Sequence, residues 1–150
     1  MQLNQARILL TGATGGLGMA LARQLAAAGA QLLVAGRDTE ADMGRLAALA
    51  GELGAGHAQV AGDLSSAAGI ATVAAAARDF GANVLINNAG IGGFGLFDEQ
   101  DWATVDAVLA TNLAAPMHLT HALLPHLKAR PQAAIVNIGS MFGSLPFAGF

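Results

Sequence analysis

Apolar residues along the chain fall into short runs, and between the runs they recur every three or four positions. That alternation predicts strand and helix in turn. "ARILLTG" (Ala6 to Gly12) reads as a buried strand ending in glycine. Leu17, Leu21 and Leu25 are spaced by four, which predicts a helix from Gly16 to Gly29 with Gly29 as C-cap. "QLLVAG" (Gln31 to Gly36) is a second strand, and Thr39 to Leu53 a second helix. Thr39 and Asp42 stand at capping-box spacing there, and Gly54 closes the helix. "HAQVAGDL" (His57 to Leu64) follows as a strand, Ser66 to Phe80 as an Ala-rich helix and "NVLINNAG" (Asn83 to Gly90) as a fourth strand. A long helix is predicted from Asp98 to Lys128, bent at Pro116, before a fifth strand from Ala133 to Gly139. No linker-like composition shift and no repeat beyond the βα unit interrupts the series. Apolar strands alternating with helices predict an α/β fold, a doubly wound parallel sheet with helices on both faces.

Composition narrows the function classes. At 150 residues, 54% apolar and 11% charged, the chain suits one domain with a core covered on both sides and a further contact surface. A net charge of −3 gives no reason to expect nucleic acid or an anionic membrane as partner. Runs such as "VAAAA" are too short to span a bilayer, and "MQLNQARILLTG" lacks the basic and apolar segments of a signal peptide. With zero Cys there is neither disulfide nor thiolate chemistry, and a cytoplasmic protein is expected.

"TGATGGLG" (Thr11 to Gly18) joins the first strand to the first helix, with Gly12, Gly16 and Gly18 in a T-G-x-x-x-G-x-G pattern. Such glycines permit a turn with φ > 0, let the backbone approach a pyrophosphate, and let the helix pack close to the sheet. The helix then points its N–H groups and positive dipole end at phosphate. The alternative is a Gly-rich βα turn with no ligand. A P-loop is excluded, since no Gly-Lys-Ser/Thr ends the loop. The second strand ends "VAGRD", with Gly36 where a site for NAD(H) would carry an acid and Arg37 beside it. A guanidinium without an acid suits a 2′-phosphate, so NADP(H) is favoured over NAD(H), against Arg37 as a solvated loop charge. Asp38 is read as opening the turn before the second helix.

With "TGATGGLG", "GDL" (Gly62 to Leu64), "NNAG" (Asn87 to Gly90), Asn112 in "ATNL" and "IVNIGS" ending at Ser140, the chain resembles the short-chain dehydrogenase/reductase family over its whole length. The resemblance implies a Rossmann-type fold and an NAD(P)(H)-dependent oxidoreductase acting on a small carbonyl or alcohol substrate. It implies cofactor contacts from Thr11, Gly12, Thr14, Gly16, Leu17, Gly18 and Arg37, with Asp63 on the adenine and Leu64 beside it. It places Asn88, Ala89 and Gly90 along the cofactor, Asn112 in the proton relay, and Ser140 on the substrate oxygen. The family's remaining catalytic pair, Tyr-x-x-x-Lys, would fall just beyond Phe150, and the chain holds no Tyr. These 150 residues are therefore read as the N-terminal part of a longer enzyme, cut after the fifth strand, and inactive by themselves. Residues 1–150 are read as one NAD(P)-binding domain. The alternative is a catalytically dead nucleotide-sensing module on the same fold.

Other residues are weighed against blander roles. His118, His121 and His126 have no carboxylate or Cys to complete a metal set, so no metal site is expected. His57 is read as opening the third strand. Ser144 follows the fifth strand too loosely to replace Ser140. Phe94, Leu96 and Phe97 either wall a substrate pocket or cover the sheet. Trp102 packs into the core or a subunit contact. The 98–128 helix carries more apolar residues than one face can bury, which predicts a homo-oligomer through it.

Overall fold

A computed structural model describes residues 2–143; Ser144 lies outside the described residues. Five parallel strands form one sheet in the order β3-β2-β1-β4-β5, from Arg7–Leu10, Gln31–Gly36, Ala58–Ala61, Val84–Asn87 and Ala134–Asn137 in chain order. The order reverses between β1 and β4, the switch point at which ligands bind in open α/β sheets.

Alternation along each strand sorts the core into two layers. Ile8, Leu10, Leu32, Val34 and Ile86 face α1 (Gly16–Ala27) and α2 (Glu40–Leu53). Leu9, Leu33, Ala35 and Leu85 face α3 (Ala67–Phe80) and the helix Ala115–Lys128, which buries Leu119, Leu123 and Leu127 at intervals of four. Caps set the helix ends. Thr39 Oγ1 accepts from Asp42 N and Ser66 Oγ from Gly69 N, and Gly54 (φ 83°) and Gly81 (φ 74°) close α2 and α3.

The predicted 98–128 helix is corrected in two ways. It begins at Trp102, because Phe97–Glu99 forms a separate 3-10 turn. It also does not simply bend at Pro116. The helix Trp102–Leu109 (α4) runs through a π turn, Ala110–Ala114, into Ala115–Lys128 (α5), and the Ala115 N–H reaches back to Ala110 O. Pro116 has no N–H to give, and the wider turn just before it takes up the break. Asn112 sits inside that turn. At the far edge of the described sheet, Ile135 and Val136 of β5 and the following Ile138 are about 40% exposed.

Candidate functional site

Because all five strands are parallel, their C-terminal ends and the loops that follow share one edge of the sheet. The Thr11–Gly18 loop, Arg37, Asp63, the segment 87–90 and Ser140 all lie along that edge.

Thr11 ties the first loop to the fourth strand. It is 1% exposed, and its Oγ1 accepts from Asn88 N and Ala89 N, each at 3.0 Å. The Asn88 side chain answers by donating from Nδ2 to Thr11 O at 2.9 Å and Gly12 O at 3.2 Å. Thr11 therefore fixes the loop from inside rather than facing a ligand with its hydroxyl. The glycines divide the predicted work. Gly12 takes φ 65°, and a Cβ on it would lie 2.7 Å from Ala89 Cα. A Cβ on Gly18 would lie 2.1 Å from Gly12 O. A Cβ on Gly16 would meet nothing within 4 Å, so the open side of the loop is there.

That open side coincides with the N-terminus of α1. Its N-cap is Gly15 and no side chain caps it, unlike α2 and α3. Unpartnered N–H groups at a helix start carry a partial positive charge suited to phosphate. Leu17, 57% exposed, stands on this first turn. The donor set, the open glycine and the uncapped helix fit a pyrophosphate.

Gly36 has little space for a side chain, since its Cβ would lie 2.9 Å from Thr14 Cγ2 and 3.2 Å from Leu46 Cδ1. Arg37 follows with its side chain 63% exposed and its Nε on the carboxylate of Asp42 at 2.8 Å. Asp42 is buried, which alone would raise its pKa. Hydrogen bonds from Thr39, Thr14 and Arg37, with the charge of Arg37, outweigh this and hold the carboxyl below its ordinary value. Sequence reasoning saw Asp42 only as a capping residue; its burial leaves no mark in the polar stretch "RDTEAD". Asp63 turns its Oδ1 to Ser65 N and Oγ, at 2.9 and 2.8 Å, at the start of an Asx-type turn, and Leu64 beside it is half-buried.

On the other side, Asn112 pairs with one backbone unit. Its Oδ1 accepts from Ile91 N at 2.9 Å and its Nδ2 donates to Ile91 O at 2.8 Å. The π turn is thereby joined to the segment after Gly90. A cavity of about 200 Å³ opens beside Asn112, lined among others by Ile91, Phe97, Gln100, Val105 and Val108. Phe97 lines it and meets Trp102 edge-on, with centroids 6.4 Å apart. Phe94, Leu96 and Phe97 are 78%, 52% and 72% exposed, so they do not cover the sheet. Trp102, at 62% exposure, is not a core residue. Ser140 is exposed beyond β5, whose Asn137 Oδ1 accepts from Asn87 Nδ2 at 2.8 Å. The histidines are dispersed. His57 Nδ1 accepts from Leu32 N, and His126 Nε2 lies 2.9 Å from Ala82 O, both at the opposite edge of the sheet.

A family model described as short chain dehydrogenase matches residues 6–150. The chain is 35% identical over 144 residues to a D-beta-hydroxybutyrate dehydrogenase of Cupriavidus necator, covering 94% of this chain and 55% of that protein. It is 36% identical over 151 residues to an NADP-dependent 3-hydroxy acid dehydrogenase of Salmonella typhi, covering 95% and 57%. A solved short chain dehydrogenase/reductase family protein superposes with a TM-score of 0.88 at 34% identity, over 99% of this chain and 61% of that one. The chain thus spans little more than half the length of the curated relatives it matches.

Proposed function

The chain belongs to the short-chain dehydrogenase family, and from that premise we propose that it is the dinucleotide-binding domain, residues 1–150, of a cytoplasmic NADP(H)-dependent oxidoreductase acting on a small carbonyl or secondary alcohol. The observation that carries the reading is the lock between the Thr11–Gly18 loop and Asn88–Ala89 at the sheet's switch point. It holds open an uncapped helix start where a pyrophosphate fits. Thr14, Gly16, Leu17 and Gly18 would cradle the phosphates, Asp63 and Leu64 the adenine, and Asn88, Ala89 and Gly90 the nicotinamide half. Nicotinamide supplies hydride exchange at its C4 when bound.

The chain's own residues supply position. Ser140 Oγ holds the substrate oxygen and stabilises the negative charge that grows there during reduction. Asn112, fixed by both polar atoms to Ile91, keeps the π turn against the loop after Gly90, beside the cavity that would admit the substrate. The proton for the oxygen needs a group that these residues do not hold, since the chain contains no Tyr and no Cys. The second reading is a dinucleotide-binding module without catalysis. The protein expressed from its own gene separates the two readings. NADPH oxidation with a panel of aldehydes and ketones supports the enzyme, and nucleotide binding without turnover supports the module.

NADP(H) is preferred over NAD(H) on this reading, because Gly36 leaves little space for an acid and Arg37 is presented at the strand tip. The name of the Salmonella relative points the same way. Arg37→Ala is expected to lower the NADPH over NADH ratio of kcat/KM roughly 10- to 100-fold, as the loss of a charge-assisted contact worth about 1.5–3 kcal/mol would. An unchanged ratio removes Arg37 from the assignment.

A second copy of the chain covers the outer face of α4 and α5. Leu109, Leu113 and Met117 are spaced by four with Leu124 further on, and each is 41–64% exposed. The opposite face buries Ala115, Leu119, Leu123 and Leu127. Solvent is a costly place for such a stripe. Light scattering at micromolar concentration is expected to give a dimer or larger, and Leu113→Asp is expected to shift it toward monomer. A monomeric wild-type mass contradicts this.

A further inference from the structure

At the tip of β2 one buried carboxylate holds two guanidinium groups. Asp42 is 1% exposed. Its Oδ2 accepts from Arg37 Nε at 2.8 Å and Thr39 Oγ1 at 3.1 Å, and its Oδ1 lies 3.4 Å from Arg45 Nη1. The two arginines come from different elements, the end of β2 and the interior of α2. Their side chains are 63% and 61% exposed. The Thr14 methyl stands over Gly36 beside this cluster. One carboxylate therefore joins the strand tip to the second helix.

Fold stability is a weak reason to keep such a group, since an apolar residue of similar volume often serves as well as a buried ion pair. Two guanidinium groups share this one buried carboxylate, while the other acids of the stretch, Asp38 and Glu40, are exposed and are not paired with either arginine in the ion pairs seen here. With Nε of Arg37 committed below, its terminal Nη pair is the part left to meet a ligand. A 2′-phosphate offers three acceptor oxygens, and one guanidinium fork satisfies two of them. We propose that Arg45 is a second ligand of the 2′-phosphate beside Arg37, and that Asp42 is the positioning residue that holds the two as one clamp. The inference rests on the NADP(H) reading above.

Asp42 acts in two opposed ways. It fixes two long side chains that would otherwise lose rotamer freedom on binding, which strengthens NADPH binding. It also adds a negative charge near the phosphate, which weakens it. The clamp requires the first effect to win, and the burial of the carboxylate beneath the arginines is the reason it does.

The test measures NADPH and NADH dissociation constants by calorimetry for the protein from its own gene and for Arg37→Ala, Arg45→Gln and Asp42→Asn. Arg45→Gln is expected to weaken NADPH about tenfold and leave NADH unchanged. Asp42→Asn is expected to weaken NADPH about fivefold with NADH unchanged, and the Arg45→Gln/Asp42→Asn pair to be clearly less than additive. Wild-type NADPH affinity in Arg45→Gln, or equal or tighter NADPH binding in Asp42→Asn, overturns the clamp. A selective loss in Arg37→Ala with none in Arg45→Gln sinks the clamp alone. No selective loss in Arg37→Ala sinks the cofactor reading itself. Should Asp42→Asn fail to fold, the exposed Arg45→Gln still decides the second ligand, and Asp42→Glu tests the positioning by partial recovery of NADPH affinity.

Discussion

A polypeptide of these 150 residues is expected to reduce no aldehyde or ketone with NADPH above background. Hydride arriving at a carbonyl carbon leaves negative charge on the oxygen, and the oxygen must gain a proton. The polar groups proposed at the reacting end are the hydroxyl of Ser140 and the amide of Asn112, neither of which is an acid at neutral pH. The imidazoles of His57 and His126 bond backbone groups at the opposite edge of the sheet. A positioned general acid is worth roughly 10²–10⁴-fold in rate, and loss of substrate orientation costs more. Nucleotide binding is a separate matter, because the loop lock and the uncapped helix start lie within the chain. Weak NADPH affinity by calorimetry is compatible with zero turnover, provided the exposed β5 edge does not drive aggregation. Turnover well above background that Ser140→Ala abolishes would show that the chain carries a proton donor of its own.

The fold was legible because its strands are short and apolar on both faces. The reading of β2 as Gln31–Gly36 agrees to the residue. The third and fourth strands were read too long, as His57–Leu64 and Asn83–Gly90, where the ladder holds only Ala58–Ala61 and Val84–Asn87. Apart from His57 and Asn83, which precede the strands at the opposite edge, the surplus residues are those that leave the sheet at its C-terminal edge. Residues such as Asn88 and Gly90 keep the look of a strand while their backbone turns away. The helix start at Trp102 was missed because Phe97–Glu99 is apolar and acidic like a first turn, yet forms a turn of its own. In the candidate site, the motif spacing pointed to loops that share one edge of the sheet, but not to the contacts each side chain makes there. Thr11 reads as one cofactor contact among several, and its hydroxyl is buried against two backbone N–H groups. Asp42 reads as part of a capping box, which it is, and it is also the buried group on which Arg37 rests. Both depend on contacts between elements distant in sequence or on burial, which local pattern does not carry.

Large structural effects are expected at two glycines of the first loop, and the effects should differ by position. A methyl group on Gly18 would meet Gly12 O at 2.1 Å and Ala13 Cα at 2.8 Å. Both are backbone atoms, so no side chain can swing aside and the helix must move off the loop. Gly12→Ala adds a positive φ of 65° to a 2.7 Å approach to Ala89 Cα. Each substitution is expected to cost roughly 2–4 kcal/mol, from overpacking and, at Gly12, from the left-handed backbone. In a domain of this size that is several degrees of Tm. Each should also weaken NADPH binding, because the loop that moves is the one presented to phosphate. Gly16→Ala is the control that separates the two effects. Its Cβ meets no protein atom within 4 Å, and alanine is the better helix former. Its Tm should hold or rise slightly while NADPH affinity falls, since the methyl group projects where the pyrophosphate must approach. Thermal melts and calorimetry on the three variants decide it. A Gly18→Ala protein that melts within a degree of wild type would mean the helix slides freely over the loop. A Gly16→Ala protein that binds NADPH as tightly as wild type would mean that the phosphates do not lie on this turn.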